Sequence, residues 1–376
     1  MTRLYRSLAG FILCAALAAC NSPRGAGFQS EVLAAENTTT DANGDPIYDF
    51  AVFPVTRESL PIIQSWPANN LRQYKWIAHQ NQPQSLLISP GDTLQVAIWD
   101  TEENSLLTGA GQRVAELKDM KVGSDGRIFL PFVGSLKVSG MSPQTAREQI
   151  QATLENVMPS AQVQLNVDPG RGNTANLVSG VSNPGVFPLA DRNVSLLTLL
   201  SSGGGVSPNL VNPQVRLFRG SQVYGLSLSR LFEEPELDTV VQGGDRILIE
   251  EDERYFLSLG ATTREALHAF PKDEVSALDA LSIVGGVSAA RANPQGILIL
   301  REYPASAVRA AGPTPDGPPQ ERVVFTIDLT KADGLFSAAK FKIQSGDLVY
   351  GTESPLGTAN SIVGIVGNLL LARARI

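Results

Sequence analysis

The sequence predicts an α+β protein made of a compact α+β domain, a module used twice, and a C-terminal amphipathic helix. Three observations carry this. Short alternating apolar stretches are separated by turn residues, with 34 Gly and 24 Pro among 376 residues, a pattern of short strands rather than long helices. The stretch SLLTLLSSGGGVSPNLVNPQ at 195–214 returns as SALDALSIVGGVSAARANPQ at 276–295. The chain also closes on an apolar run with one small-and-polar stripe.

At the N-terminus, Arg3 and Arg6 precede the apolar run SLAGFILCAALAA, which ends in LAAC at 17–20 and is followed by Asn21. Residues 1–19 read as a signal peptide with a cysteine just after the cleavage site. The site resembles the bacterial lipobox, which makes Cys20 the expected lipidation residue and, with Asn21, implies sorting to the outer membrane. An ordinary cleavage site with a chance cysteine is the alternative. Cys14 leaves with the signal peptide, so the mature chain keeps no thiol for a disulfide, metal or nucleophile. The net charge is −7 before processing, and losing Arg3 and Arg6 makes it more acidic. With no Lys/Arg block, nucleic acid is not an expected partner.

Residues 20–84 read as a tether followed, at 47–77, by an ordered extended segment to which no function is assigned. Residues 85–168 read as the α+β domain. LLISPGDTLQVAIWD places a Pro-Gly turn before a half-buried strand, with Gly91 and Asp92 as structural motif residues. In VGSDGRIFLPFVGSLKVSGMSP, Asp125-Gly126 is expected as a two-residue turn with positive φ at both positions, and Pro131 and Gly134 are structural motif residues. Ser142 caps a helix with Pro143 at its first position; Ala146, Ile150, Leu154 and Val157 form its buried face. AQVQLNV closes the unit by alternation.

The repeat occupies 173–251 and 255–351. Shifted by 81 residues, Ser195, Gly204, Gly205, Val206 and Asn212 fall on Ser276, Gly285, Gly286, Val287 and Asn293, and Leu217 falls on Leu298. Both copies close on a strand after a Gly-Asp turn, at Gly244-Asp245 and Gly346-Asp347. These turns lie 102 residues apart, so the second copy is longer; a Pro/Gly/Ala-rich surface loop at 304–321 holds the insertion. A phosphate-cradling loop needs a strand before its glycines and a helix after them. Here the helix comes first, so Gly204, Gly205, Gly285 and Gly286 are expected as helix caps.

Together these parts resemble the bacterial outer-membrane polysaccharide export lipoproteins. SPGDTLQVAIWD is similar to that family's opening strand, and residues 122–167 to its export domain. The repeated units resemble its soluble-ligand-binding β-grasp modules, with the turn Gly180 to Pro184-Gly185 and the Gly-Gly-Val cap. The second copy departs, since ATTREAL follows Gly260. The resemblance implies a homo-oligomeric ring, usually of eight copies, with the polysaccharide chain passing through its lumen. It implies an inner-membrane co-polymerase docking beneath the export domain. It also implies a helical barrel contributed by the C-terminal helices in the outer-membrane lipid, with the bulk of the chain in the periplasm.

Enzyme chemistry is not expected, nor is any cofactor or metal. His79 and His268 are far apart and have no partners at ligand spacing. The acidic pairs, such as Glu102-Glu103, follow strand ends or sit in turns. Trp66, Trp76 and Trp99 are expected as packing residues, with sugar stacking as the alternative. The second reading is a lipid-anchored periplasmic carbohydrate-binding or scaffold protein without a channel, and the tail separates the two. Thr358 to Ile376 is long enough, at about 28 Å as a helix, to cross a thin bilayer. The segment 354–376 is expected to span the outer membrane with Ser361, Asn368 and Arg375 turned toward the lumen. Packing against the last module is its alternative.

Overall fold

The computed structural model describes residues 25–34, 39–40, 46–47, 49–68, 74–80, 82, 85–100, 112–309 and 316–355. Cys20, Ser361, Asn368 and Arg375 lie outside them, as does the expected helix beyond Pro355. Among the described residues no helix is long and apolar enough to cross a membrane. The chain divides into two compact units, one of residues 73–252 and one joining 1–72 to 253–376. Both are mixed α+β.

Residues 1–72 supply α1 (Gln29–Leu33), the two-residue pair β1 (Thr39–Thr40) and β2 (Pro46–Ile47), β3 (Ala51–Pro54) and α2 (Leu60–Ser65) to the unit they share with 253–376.

The other unit begins with β4 (Thr93–Trp99), β5 (Val114–Lys121), β6 (Arg127–Leu130), β7 (Gly134–Lys137), α3 (Pro143–Glu155) and β8 (Gln162–Asp168). The antiparallel sheet runs β5-β4-β8, and β6-β7 form a separate hairpin. Alternation in β4 turns Leu94, Val96 and Ile98 inward, where they share a core with Ala146, Ile150 and Leu154 of α3. Each such aliphatic side chain contributes about 2 kcal/mol through burial. The helix starts where Ser142 Oγ accepts the Thr145 N–H at 3.1 Å, and Pro143 at its first turn has no N–H to leave unpaired. It stops at Glu155, so Val157, expected on the buried face, is exposed, and Met158 fills the core instead.

The expected two-residue turn at Asp125-Gly126 is also corrected. Gly123 accepts from the Gly126 N–H at 2.9 Å and donates to the Arg127 carbonyl at 2.8 Å. The loop therefore has three residues, and of Asp125 and Gly126 only Gly126 has positive φ, at 79°. The extra residue lets Asp125 keep an ordinary backbone conformation while Gly126 alone takes the left-handed one.

The first repeat follows as β9 (Thr174–Ser179), β10 (Gly185–Pro188), α4 (Leu196–Ser202), β11 (Gln214–Arg219), β12 (Gln222–Ser227), α5 (Leu228–Glu233) and β13 (Arg246–Glu250). Its strand order is β10-β9-β13-β11-β12, with β9 and β13 parallel and the other pairs antiparallel. Leu196, Leu199 and Leu200 of α4 share a core with Leu177, Leu217 and Ile247.

The second repeat comprises β14 (Tyr255–Gly260), β15 (Ala266–Ala269), α6 (Ala277–Ile283), β16 (Ala292–Glu302), β17 (Arg322–Ile327), α7 (Ala332–Lys340) and β18 (Leu348–Glu353). Its order, β15-β14-β18-β16-β17-β3, repeats the first and adds β3, parallel to β17, as a sixth strand. The segment carrying β3 then places Trp66 in the core, edge-on to Phe53 and Tyr303 at 5.3 and 5.8 Å between centroids.

Strand register corrects one equivalence. Leu217 pairs with Ile247, and Ile299 pairs with Val349, so Ile299, not Leu298, is the counterpart of Leu217. A register shift between Ala292 and Ile297 takes up the extra residue.

Candidate functional site

The same turn occurs three times, each time just before a strand. Gly91, Gly244 and Gly346 have φ of 92°, 88° and 88°, and the aspartate after each is buried. Each aspartate carboxylate accepts the N–H three residues back: Ser89 to Asp92 at 2.7 Å, Gln242 to Asp245 at 2.8 Å and Gln344 to Asp347 at 2.8 Å. What else the carboxylate holds differs. Asp92 accepts the Gly170 N–H at 2.7 Å and Asn173 Nδ2 at 2.8 Å, and Asn173 also donates to the Leu87 carbonyl at 2.9 Å. It thereby latches the α+β domain to the segment that enters the first repeat. Asp245 pairs with Arg219, and Asp347 with Arg301.

The glycine pairs also act as fasteners. Gly204 and Gly205 have φ of 79° and 81°, Gly285 and Gly286 both 82°. In the first copy the N–H groups of Gly204 and Gly205 donate to Ser201 and Leu200; in the second those of Gly285 and Gly286 donate to Ser282 and Leu281. Both helices thus end in the left-handed cap expected of them. The Gly205 carbonyl then accepts the Ser182 N–H at 3.0 Å and that of Gly286 the Thr263 N–H at 3.1 Å. The cap therefore pins the turn of the neighbouring hairpin, an added role the sequence does not reveal.

The β6–β7 hairpin buries Ile128 and Leu130 in the core, but its aromatic side chains are not explained by packing. Val133 donates to the Leu130 carbonyl at 3.2 Å across a turn with Pro131 and Phe132 at its centre. Phe132 has a φ of 65°, a conformation costly for a bulky L-residue. Gly134 meets the same demand at φ 90° without strain. Phe132 and its neighbour Phe129 are 56% and 72% exposed, so burial does not offset the strain.

An opening bordered by Ile77, Gln80, Arg219, Thr239 and Gln242 has about 20 Å³, room for one water and not for a sugar. Among the described residues no three His, Cys, Asp or Glu side chains group as metal ligands. His79 Nδ1 lies 2.6 Å from the Asp238 carbonyl. His268 stacks on Phe256 and shares a 2.8 Å hydrogen bond with Ser258 Oγ. Trp76 is half-buried against the core of the first repeat and donates to the Leu237 carbonyl at 2.7 Å, whereas Trp99 is partly exposed.

Among the described residues the structure thus sets the expected ones in separate fasteners rather than one cleft. Gly91 and Asp92 meet Gly170 and Asn173. Gly126 faces Ser139, whose Cβ is 2.6 Å from where a Cβ on Gly126 would stand, and Asp125 Oδ1 accepts the Arg127 N–H at 3.1 Å. Pro131 and Gly134 share the exposed hairpin. Asn173, Arg219 and Arg301 escaped sequence reasoning, although the thrice-used Gly-Asp pair was a signal that a buried carboxylate needed a partner.

Residues 80–168, the α+β domain with the segment that precedes it, match the family described as Polysaccharide biosynthesis/export protein. Particular relatives agree. The chain is 24% identical over 297 residues, 74% of each protein, to the capsule polysaccharide export protein BexD of Haemophilus influenzae. It is 25% identical over 295 residues, 73% of this chain and 74% of the relative, to the capsule polysaccharide export outer membrane protein CtrA of Neisseria meningitidis serogroup A. The EPS I polysaccharide export outer membrane protein EpsA of Ralstonia nicotianae is 26% identical over 279 residues, 70% of this chain and 69% of its own. The chain therefore resembles the outer-membrane polysaccharide export proteins, as its motifs indicated.

Proposed function

We propose that this chain is an outer-membrane lipoprotein that exports capsular or extracellular polysaccharide through a ring of identical protomers. The observation that carries the reading is the extent of the similarity. It covers about three quarters of the chain, 74% in one relative, well beyond the 80–168 match. The common strand order of the two repeats supports their reading as β-grasp modules. Anchoring rests on Cys20, and the channel on the helix 354–376 with Ser361, Asn368 and Arg375 toward the lumen. The Phe129–Phe132 hairpin offers the export domain an exposed surface for its inner-membrane co-polymerase. The protein acts by scaffolding and conduction, not catalysis.

Surface polymer is measured in cells carrying Cys20→Ser and, separately, a stop codon replacing Gly357. Both are expected to reduce secretion sharply, the first with loss of outer-membrane fractionation. Ile376→Cys is expected to react with a membrane-impermeant maleimide on intact cells. Protection until the outer membrane is permeabilised favours the lipid-anchored scaffold without a channel.

A further inference from the structure

The two repeats share a fold but differ in the middle of the outer sheet face. Pairing makes Asn176, Arg216 and Arg246 of the first copy the counterparts of Leu257, Leu298 and Leu348 of the second. In the second copy Leu257, Leu298 and Leu348 lie on the same face as Leu259, Leu267 and Leu300. Leu298 is buried and Leu257, Leu300 and Leu348 are half-buried, but Leu259 and Leu267 are 43% and 60% exposed. The first copy also exposes Val178 and Val186 on this face, at 48% and 64%, but sets them beside Asn176, Arg216 and Arg246. The leucines of the second copy instead run on as one apolar face, which points to a difference in surroundings.

The chain's own ends say what those surroundings are. Residues 25–28 are fastened to the last turn of β18: Gly25 N–H donates to Glu353 Oε1 at 3.1 Å, Gly27 N–H to Tyr350 Oη at 2.8 Å, and Glu353 N–H to the Gly27 carbonyl at 3.1 Å. Gly25 lies five residues after Cys20, a reach of at most about 18 Å. The apolar tail leaves from the same place, directly after Glu353. Leu259 sits beside it, because Gly260 pairs with Gly351 at this end of the sheet. Charges here are mixed, with Arg291 facing Glu353 at 3.7 Å and Arg264 next to Glu265, so the surface attracts through its leucines.

We infer that the outer face of β14 and β15, at the end where residues 25–28 meet Glu353, rests on the lipid surface in which the chain is anchored. This builds on the lipoprotein reading above. Leu259 and Leu267 enter the headgroup boundary, as apolar side chains of an interfacial surface do, and hold the second repeat against the membrane.

The mature chain has no other free thiol, so Leu267→Cys and Val186→Cys, at equivalent and equally exposed strand positions of the two repeats, each take a single nitroxide. The full lipidated protein is floated with vesicles of phosphatidylethanolamine and phosphatidylglycerol. At Leu267 the label is expected to be broadened by oxygen and to lose broadening by a water-soluble nickel chelate; at Val186 nickel broadening is retained. Raising the salt leaves this unchanged. Equal nickel access at both sites in floated protein overturns the inference and leaves the anchor reading intact. Exclusion of both reagents at Leu267, with dipolar broadening between labels, assigns the face to a second copy and overturns it too. Protein that does not float removes the anchor reading and this inference together.

Discussion

Arg301 grips Asp347 with two parallel hydrogen bonds, Nε to Oδ1 at 2.8 Å and Nη2 to Oδ2 at 2.7 Å, and the two side chains are 2% and 0% exposed. The rings of Phe325 and Phe341 lie 5.2 and 5.1 Å from the guanidinium carbon. Burial alone disfavours the charge on Arg301, but the Asp347 carboxylate outweighs it and holds the guanidinium protonated beyond its ordinary range. Asp347→Ala strands a buried cation and is expected to cost about 3–5 kcal/mol, read as a shifted urea midpoint. Arg301→Met with Asp347→Asn should cost less than that single change; an equal or larger loss argues against a coupled pair. Asp245→Ala should cost less again, because Arg219 is 21% exposed and can turn to water.

Asp92 is the equivalent carboxylate of the α+β domain, with Asn173 in place of an arginine. Asp92→Ala leaves three donors, the Ser89 and Gly170 N–H groups and Asn173 Nδ2, without their acceptor. The expected cost is about 3 kcal/mol or more, since each stranded buried donor costs about 1–3 kcal/mol. The Gly170 amide should exchange with deuterium much faster, while the Gly205 amide inside the first repeat keeps its protection. Unchanged exchange at Gly170 would show that the latch is held by other contacts.

What the sequence displayed plainly was whatever local chemistry determines. The Ser142 cap, the alternation of Leu94, Val96 and Ile98, and the glycine pairs after leucine helices are readable because each depends on residues within one turn or one strand. The misreadings have non-local causes. Val157 keeps helical spacing, but the helix ends before it. The Asp125 turn depends on how Gly123 pairs with Arg127. Leu298 matches Leu217 in sequence, and only the strand register moves the equivalence to Ile299. The partners of the buried aspartates were hidden for the same reason: Arg301 lies 46 residues from Asp347, and Asn173 lies 81 from Asp92. Contacts at such separations are set by sheet order, which no short motif specifies.

His268 gives the second repeat a pH response. Burial, and then the nearby charge of Arg264, push its imidazole below the ordinary value of 6.5. The unfolded chain therefore binds the proton more readily than the folded one, and stability rises with pH across the interval between the two values. Stability is fully present above about pH 6.5 and is lost as pH falls through that value toward the depressed one. In His268→Phe this slope should disappear, as measured by urea midpoints across a pH series. The same acid slope in wild type and variant would place the proton uptake elsewhere.

Phe132 combines a left-handed backbone with an exposed aromatic side chain, so the fold gains little from keeping it. Replacing it with glycine relieves strain of about 1–3 kcal/mol and adds an entropic penalty of roughly 0.5–1 kcal/mol. Phe132→Gly is therefore expected to leave stability unchanged or raise it by about 1 kcal/mol. If the hairpin is a docking surface for the co-polymerase, the same substitution should reduce polymer at the cell surface, and Phe129→Ser, also exposed, should do likewise. Thermal melts of the purified variants and surface polymer measured in cells separate the two effects. Full export in both variants, with unchanged melting, would mean that the hairpin aromatics serve neither stability nor docking.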